Sequence, residues 1–164
     1  MSAVARLVAF ALVLVASAAV AQNVQQIFLT ESRAFLEQHW KKLAAWDPAA
    51  FADFAPEGLR NYVGYTGRGA DRRIGLVGSA SGPDLKRRLE RQLAAEKEAK
   101  EAYDFKDLRL MNFGGLTVRY CATRSLASQP AAEEYCWLIE SRGGAGYAIL
   151  EDQVPGRFFV TTRR

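Results

Sequence analysis

The two cysteines of this chain lie in two strand-like segments, GLTVRYCATRS (residues 115–125) and EEYCWLIES (residues 133–141). The residues between them, LASQPAA, are typical of a turn, because Pro and Ser interrupt the strand pattern. Folding the two segments symmetrically about the centre of this turn places Cys121 directly opposite Cys136. The sequence therefore predicts an antiparallel hairpin closed by a Cys121–Cys136 disulfide.

The same register divides the hairpin into two faces, because side chains alternate along a strand. One face is predicted to be apolar and to face the core: Leu116, Val118, Tyr120 and Ala122 lie opposite Ser141, Ile139, Trp137 and Tyr135. The other face is mostly polar: Thr117, Arg119, Cys121 and Thr123 lie opposite Glu140, Leu138, Cys136 and Glu134. The disulfide closes a loop of about 15 residues, for which a chain-entropy model gives about 3 kcal/mol of stabilisation.

Two more strands flank this hairpin in the sequence. A strand over residues 104–112 leads into it through two glycines, and a strand over residues 147–152 follows it. The glycines at 143 and 144 predict a tight two-residue turn before the last strand. That turn pairs Trp137 with Leu150 and Ile139 with Ala148. The closing part of the chain is therefore predicted to be a meander of four antiparallel strands.

Helical patterns come before the strands. Over residues 24–46 a stripe of side chains recurs at steps of three and four, which predicts an amphipathic helix. The stripe consists of Phe28, Ser32, Phe35, His39, Leu43 and Trp46, widened by Leu36 and Trp40. Asp47 and Pro48 end this helix and begin a short second one, with Asp47 as its N-cap, that is expected to stop near residues 55–58.

A third helix is expected over residues 84–102, after short strand-like pieces at residues 60–65 and 73–77. Helices that precede most of the strands predict an α+β fold, in which the helices cover one face of a curved antiparallel sheet.

The first 21 residues have the pattern of a secretory signal peptide: an early cation, an apolar run and small residues before Gln22. We expect cleavage after Ala21, which leaves residues 22–164 as a single domain. An uncleaved anchor is the alternative, but the uncharged run is shorter than the roughly 20 residues that span a bilayer. The leader predicts a periplasmic or secreted location, and such a location favours a structural disulfide over two free thiols.

Composition argues against several classes of protein. The chain has 164 residues, of which 49% are hydrophobic and 24% charged, and its formal net charge is +4; these values are ordinary for one globular domain. Opposite charges alternate too closely over residues 84–102 for a nucleic-acid-binding track. One histidine and two cysteines predict no metal site. The glycine-rich segments at residues 64–69 and 75–82 match no nucleotide-binding pattern, so no cofactor is expected.

Three segments resemble the nuclear transport factor 2-like superfamily, which includes ketosteroid isomerase-like and polyketide cyclase-like proteins. They are FLEQHWKKLAAWDPAAFADFAPEG (residues 35–58), NFGGLTV (residues 112–118) and RGGAGYAIL (residues 142–150). The resemblance covers nearly all of residues 22–164 and implies a cone-shaped α+β domain with a pocket between helices and sheet. It also implies that the outer sheet face can form a homodimer. The residues that fit such an interface are Arg119, Leu138, Tyr147 and Ile149.

This sequence differs from the isomerase members of the family at the positions of their catalytic residues. Isomerase members use a carboxylate base after the short helix and an acidic or phenolic group that stabilises the oxyanion. Aligning the opening of the chain places Tyr62 near the base position and His39 near the phenol of the first helix. Neither residue supplies a carboxylate base, and a shared fold does not by itself imply a shared reaction.

The candidate site residues each have two interpretations. His39 is either an acid–base group in a pocket or a hydrogen-bonded residue of the core. Asp107 and Arg109 alternate on one strand and form either a polar pair in the pocket or solvent-exposed residues, depending on the register. Tyr62 is either a hydroxyl donor or a packing residue. The predicted ligand pocket consists of His39, Trp40, Tyr62, Tyr120 and Trp137.

These observations predict an exported module that binds a small apolar ligand or a protein partner and carries no clear catalytic set. The alternative is a small-molecule isomerase or cyclase-type enzyme that uses the cone pocket, with His39, Tyr62, Asp107 and Arg109 as its candidate catalytic residues.

Overall fold

The computed structural model describes residues 3–66, 73–126 and 132–159, with backbone alone at residues 3–20 and 158–159. Helix α1 spans Ala3–Ala44 and helix α2 spans Gly82–Glu98. The strands are β1 (Phe54–Thr66), β2 (Arg73–Ser81), β3 (Phe105–Gly114), β4 (Thr117–Arg124), β5 (Glu133–Ser141) and β6 (Tyr147–Pro155). Short 3-10 turns occupy Pro48–Asp53, Gly143–Ala145 and Gly156–Phe159.

The six strands form one curved, unclosed sheet in the order β2-β1-β6-β5-β4-β3. All neighbouring pairs are antiparallel except β1 and β6, which are parallel. The predicted α+β architecture is confirmed, with α1 and α2 on one face of the sheet. The sheet is mixed rather than wholly antiparallel, because β1, the second strand from one edge, runs parallel to β6. The interior of the fold lies between this sheet face and the two helices.

The central hairpin has the predicted register. Cys121 lies opposite Cys136, their Cα atoms are 4.1 Å apart, and the two side chains form a disulfide. Tyr120 lies opposite Trp137, and both side chains are buried on the face that the helices cover. The prediction of one apolar face and one disulfide-bearing face is confirmed, except that Leu116, at the end of the apolar face, is exposed.

The turn before β6 differs from the prediction. Tyr147 pairs with Ser141, so residues 142–146 form a longer loop rather than a two-residue turn. Two of its glycines, Gly143 and Gly146, have positive φ angles of 59° and 84°, a conformation that side chains with a Cβ rarely adopt. Further along, Leu150 is an extra residue in β6. The predicted pairings are therefore wrong: Ile139 lies opposite Ile149 and Trp137 lies opposite Asp152.

Helix α1 buries the predicted stripe. Phe28, Ser32, Leu36, His39 and Leu43 are all buried against the sheet. The helix begins at Ala3 and continues through the position where cleavage of the leader is expected. Cleavage remains a prediction. None of the helices within the described residues is both long enough and apolar enough to cross a membrane.

The short helix after α1 has the predicted start and an earlier end. The Asp47 carboxylate accepts a hydrogen bond of 2.8 Å from the backbone N–H of Ala49, as an N-cap does. The helix ends at Asp53, and residues 55–58 belong to β1, where the prediction placed the end of the helix. Gly58 permits this path because a Cβ there would lie 2.8 Å from the carbonyl oxygen of Ala55. The backbone can therefore fold closely on itself where β1 joins β6.

Candidate functional site

Aromatic side chains occupy the interior where the resemblance implies a ligand pocket. The Trp40 ring lies 4.9 Å from the ring of Phe105 and 5.5 Å from the ring of Trp137. Phe105 also packs edge-on against Trp137 at 5.2 Å and Tyr135 at 5.2 Å. Two members of the predicted pocket, Trp40 and Trp137, therefore contact each other.

A buried ion pair lies deeper in the cone. Arg60 of β1 donates from Nε to both carboxylate oxygens of Asp152 on β6, at 3.0 and 2.9 Å. Its Nη1 donates to the side-chain oxygen of Gln92 on α2, whose amide donates in turn to Tyr103 at 2.8 Å. Arg60 is 2% exposed and Asp152 is 1% exposed. Burial acts to lower the pKa of Arg60, but the adjacent carboxylate raises it by more, so the guanidinium stays charged.

Sequence reasoning missed this pair, although one signal was present. Arg60 alternates with Tyr62, and Asp152 alternates with Val154. A charged residue at the inward position of an otherwise apolar alternation needs a buried partner. Nothing local in the sequence indicates which residue that partner is.

A second buried guanidinium is also paired with a carboxylate of the chain. Arg124 of β4 donates to Glu96 of α2 at 2.8 Å and to the Tyr135 hydroxyl at 3.1 Å. Its guanidinium lies 3.7 Å from the centre of the Tyr103 ring. Burial and the nearby charges of Glu133 and Glu96 raise the pKa of Tyr135, although the opposite charge of Arg124 acts to lower it. The charges in this part of the interior are matched by groups of the chain itself.

His39 lies in a third cluster, at the end of α1. Its Nδ1 and the Asp53 carboxylate are 2.8 Å apart, and Lys42 also contacts that carboxylate. Burial acts to raise the pKa of Asp53, but hydrogen bonds from His39 and Lys42 lower it by more, so the pKa lies below its ordinary value of 3.8. His39 is fully buried, with its ring edge-on to Phe54 at 6.1 Å.

His39 therefore combines features of both sequence interpretations. It is hydrogen-bonded in the core, yet its Nε2 makes no hydrogen bond within the part of the chain that the structure describes. A histidine oriented by a carboxylate through Nδ1 is the arrangement that allows Nε2 to exchange a proton. This pair is the closest approach to acid–base machinery among the described residues. Sequence reasoning selected His39 and missed Asp53.

The two candidate tyrosines are parts of the packed core. Tyr120 hydrogen-bonds through its hydroxyl to Ser32 and to the carbonyl of Leu29, both at 3.1 Å, and so attaches α1 to β4. Tyr62 is fully buried, and the guanidinium of Arg88 lies 5.9 Å from the centre of its ring. Burial raises the pKa of the Tyr62 phenol, which makes it a weaker acid.

Asp107 and Arg109 do not join His39. Both side chains are exposed on the edge strand β3, where Asp107 accepts a hydrogen bond of 3.0 Å from Thr123 and Arg109 pairs with Glu134. The pairing of β3 with β4 is irregular around them, and Asp107 has a positive φ of 54°. The structure follows the solvent-exposed alternative.

The predicted interface residues divide between the two sheet faces. Arg119 and Leu138 lie on the outer face, where Arg119 forms an ion pair of 3.2 Å with Glu151. Tyr147 packs inward against Phe28, with ring centres 5.7 Å apart, and Ile149 is fully buried. The expectation that Tyr147 and Ile149 fit an outer interface is wrong, because the longer loop and the extra residue in β6 change which side chains face out.

Large apolar side chains are instead exposed on the hairpin of β1 and β2. Tyr65 is 62% exposed, Ile74 70% and Leu76 60%. Tyr65 pairs with Ile74, and Leu76 pairs with Val63. All four lie on the face opposite to Arg60 and Tyr62, since side chains alternate along β1. We call Val63, Tyr65, Ile74 and Leu76 the hairpin patch.

Two surface clefts lie away from the predicted pocket residues. One of about 250 Å³ is lined by Trp46, Pro48, Glu90, Leu93, Ala94 and Lys97. The other, about 550 Å³, is lined by residues of α1: Gln22, Asn23, Gln25, Gln26 and Leu29. Among the residues that the structure describes, no group of three His, Cys, Asp or Glu side chains is placed to hold a metal ion.

No family model and no curated protein matches the sequence. Solved structures do resemble it. Naphthalene 1,2-dioxygenase with indole bound in its active site has a TM-score of 0.53 and 13% identity over 79% of each chain. The beta subunit of benzoate 1,2-dioxygenase from Burkholderia mallei has a TM-score of 0.44 and 14% identity, covering 82% of this chain and 95% of that one. A protein from Novosphingobium aromaticivorans, described as an aromatic ring hydroxylase, has a TM-score of 0.49 and 10% identity over 77% and 86%.

At these identities the comparison concerns the fold alone. The likeness to naphthalene 1,2-dioxygenase supports the nuclear transport factor 2-like fold, an α+β cone of helices packed on a curved sheet. This agrees with the resemblance seen in the sequence. The extracytoplasmic location and the homodimer remain predictions.

Proposed function

We propose that this chain is an exported, non-enzymatic interaction module that binds a protein partner through the outside of its sheet. The observation that carries this proposal is the packing of aromatic rings in the described part of the interior. The space that a cone pocket would occupy holds the contacting rings of Trp40, Trp137 and Phe105. Binding a small ligand there would require these rings to move apart.

The electrostatics of the interior support the same proposal. Each buried guanidinium already has a carboxylate of the same chain beside it, Asp152 for Arg60 and Glu96 for Arg124. A ligand that replaced either partner would have to compensate for the loss of a buried ion pair, which is costly. The charges in the cone therefore act in stability rather than in recognition.

The surface supports an interaction role directly. The hairpin patch exposes three large apolar side chains, Tyr65, Ile74 and Leu76, side by side on two paired strands. Clustered exposed apolar side chains are typical of protein interaction sites. The predicted leader and the disulfide support a partner that lies outside the cytoplasm.

An acid–base enzyme is the second candidate, and one observation favours it. His39 is oriented by Asp53 and keeps Nε2 without a hydrogen bond within the described part of the chain. Chemistry at Nε2 would need a substrate to reach a fully buried ring. For this reason we rank the candidate second.

Site-specific photo-cross-linking in an exporting bacterial host tests the proposal. A photoreactive phenylalanine analogue replaces Tyr65 in one version of the chain and the similarly exposed Leu116 in a control version. We expect one discrete adduct from position 65, its mass identified by mass spectrometry, and none from position 116. A Leu76→Lys substitution should remove the adduct, because it places a charge in the hairpin patch.

A bound small molecule would contradict the interaction module. In that case native mass spectrometry of the purified chain would show the molecule, and it would be lost in His39→Ala but kept in Leu76→Lys. That result, together with no adduct at position 65, would replace the interaction module with a ligand-binding or catalytic one.

A further inference from the structure

The two edges of the sheet are built differently. β3 carries the charged residues Lys106, Asp107 and Arg109, and its pairing with β4 is irregular at two places. Charges and irregularities of this kind keep an edge strand from pairing with another chain. β2 has one irregularity, at Val77, and carries no charged residue over residues 74–81. β2 is therefore the less protected edge.

Within the part of the chain that the structure describes, β2 ends the sheet and pairs on one side only, with β1. An edge strand presents every second N–H and C=O away from its neighbour. Among the described residues, no backbone hydrogen bond joins residues 73–77 to a segment other than β1. The strand therefore offers a short run of backbone donors and acceptors beside the hairpin patch.

We propose that β2 pairs antiparallel with β2 of a second copy of this chain, with Gly75 on the two-fold axis. This inference rests on the proposed interaction function and names the partner. In antiparallel strands, residues on the same face lie opposite each other. A centre at Gly75 therefore puts Ile74 opposite Leu76 of the second copy, and Leu76 opposite its Ile74.

This register extends the apolar contacts across four strands. Val63 pairs with Leu76 and Tyr65 pairs with Ile74 within each copy. Across the joined sheet, Val63 and Leu76 of one copy are then followed by Ile74 and Tyr65 of the other copy. The two-fold axis generates a second, identical row of four side chains. Cross-strand contacts between large apolar side chains stabilise a pair of strands.

Charge and geometry favour a second copy as the occupant. A strand that pairs with itself about a two-fold axis brings like charges together when a charged residue lies at or next to that axis. In this register Arg73, the one charged residue of β2, lies opposite Val77 of the other copy and not opposite a charge. The pairing ends at Val77, where the irregularity with β1 reverses the faces. The resulting five-residue pairing has an ordinary strand length.

Sedimentation equilibrium of the chain, as an exporting host produces it, measures the association. We expect a monomer–dimer equilibrium between micromolar and millimolar concentrations. Leu76→Lys should weaken it about tenfold or more, because each substitution alters two symmetric contacts. Leu116→Lys is the matched control, since Leu116 is 64% exposed and lies outside β2, and it should leave the equilibrium unchanged.

A cysteine at the axis tests the register itself. Gly75→Cys should form a covalent dimer under mild oxidation, and among the described residues the new Cβ would meet only Thr66, at 3.5 Å. Ser79→Cys is the control, because in this register the two introduced thiols lie about 27 Å apart along the strands. Equal cross-linking of the two variants, or a monomer at every concentration, overturns the β2 pairing. If position 65 then yields an adduct with a different protein, the interaction function stands and only the second copy is excluded.

Discussion

Arg60 and Asp152 lie directly opposite each other on β1 and β6, the parallel pair within the sheet. The guanidinium and the carboxylate share three hydrogen bonds and are almost fully buried. Strands far apart in the sequence are thus joined by a charged contact as well as by backbone pairing. This contact holds the first strand of the chain against the last one.

Removing one partner of this pair should destabilise the protein strongly. Arg60→Met leaves the Asp152 carboxylate buried without its main partner, and we expect a loss of about 3–5 kcal/mol in the free energy of unfolding. Urea denaturation followed by far-ultraviolet circular dichroism measures this loss.

Two comparisons make that result specific. Combining Arg60→Met with Asp152→Leu should recover most of the loss, because neither charge then remains buried. Arg109→Met, which removes a partner of exposed Glu134, should cost less than about 1 kcal/mol. A double variant as unstable as the single one would mean that packing, rather than charge, dominates at this position.

The disulfide should supply a separate part of the stability. Replacing Cys121 and Cys136 with alanine opens a loop with a sequence separation of 15 residues, and the expected loss is about 3 kcal/mol. A reducing agent should lower the melting temperature of the wild type and leave that of the double variant unchanged. Equal melting temperatures for the oxidised and reduced wild type would contradict this prediction.

The Asp53 cluster predicts how the stability depends on pH. The folded protein lowers the pKa of Asp53 below its ordinary value of 3.8, so the unfolded chain binds a proton more readily than the folded one. The stabilisation is present above 3.8 and is lost as the pH falls through the lower, folded-state pKa. Asp53→Asn removes it.

Urea titrations of the wild type and of Asp53→Asn over a range of acidic pH values measure this effect. The difference in unfolding free energy should be constant near neutral pH and should shrink as the solution becomes acidic. A difference that is the same at every pH would show that Asp53 acts through packing or neutral hydrogen bonds only.

A close backbone contact predicts the effect of a single methyl group. A Cβ on Gly156 would lie 2.8 Å from Val77 and 3.0 Å from the carbonyl oxygen of Val63. The carbonyl belongs to β1 and cannot move freely, so Gly156→Ala should cost about 1–3 kcal/mol. Gly144→Ala is the matched control, because a Cβ there meets no atom of the described residues within 4 Å, and its effect should be within about 0.5 kcal/mol. Thermal unfolding of both variants checks the difference, and equal melting temperatures would contradict it.

Local patterns were sufficient for the elements whose partners are near in the sequence. The spacing of Cys121 and Cys136 with the alternation around them predicted every pairing of β4 with β5, because the turn and the side-chain period leave one register that suits both faces. The stripe on α1 and the Asp47 cap followed from helical periodicity and from the orphan N–H groups at a helix start.

Contacts between distant segments were decided only in the folded chain. The extra residue Leu150 changes which side chains of β6 face inward, and no local pattern marks it, because it is defined by how β6 pairs with β5. The partner of Arg60 and the carboxylate beside His39 are likewise set by which strands and turns become neighbours. Side-chain alternation and helical period act over a few residues and are encoded locally. The partner of a buried charge can be distant in the sequence, so the identity of that partner depends on the whole fold.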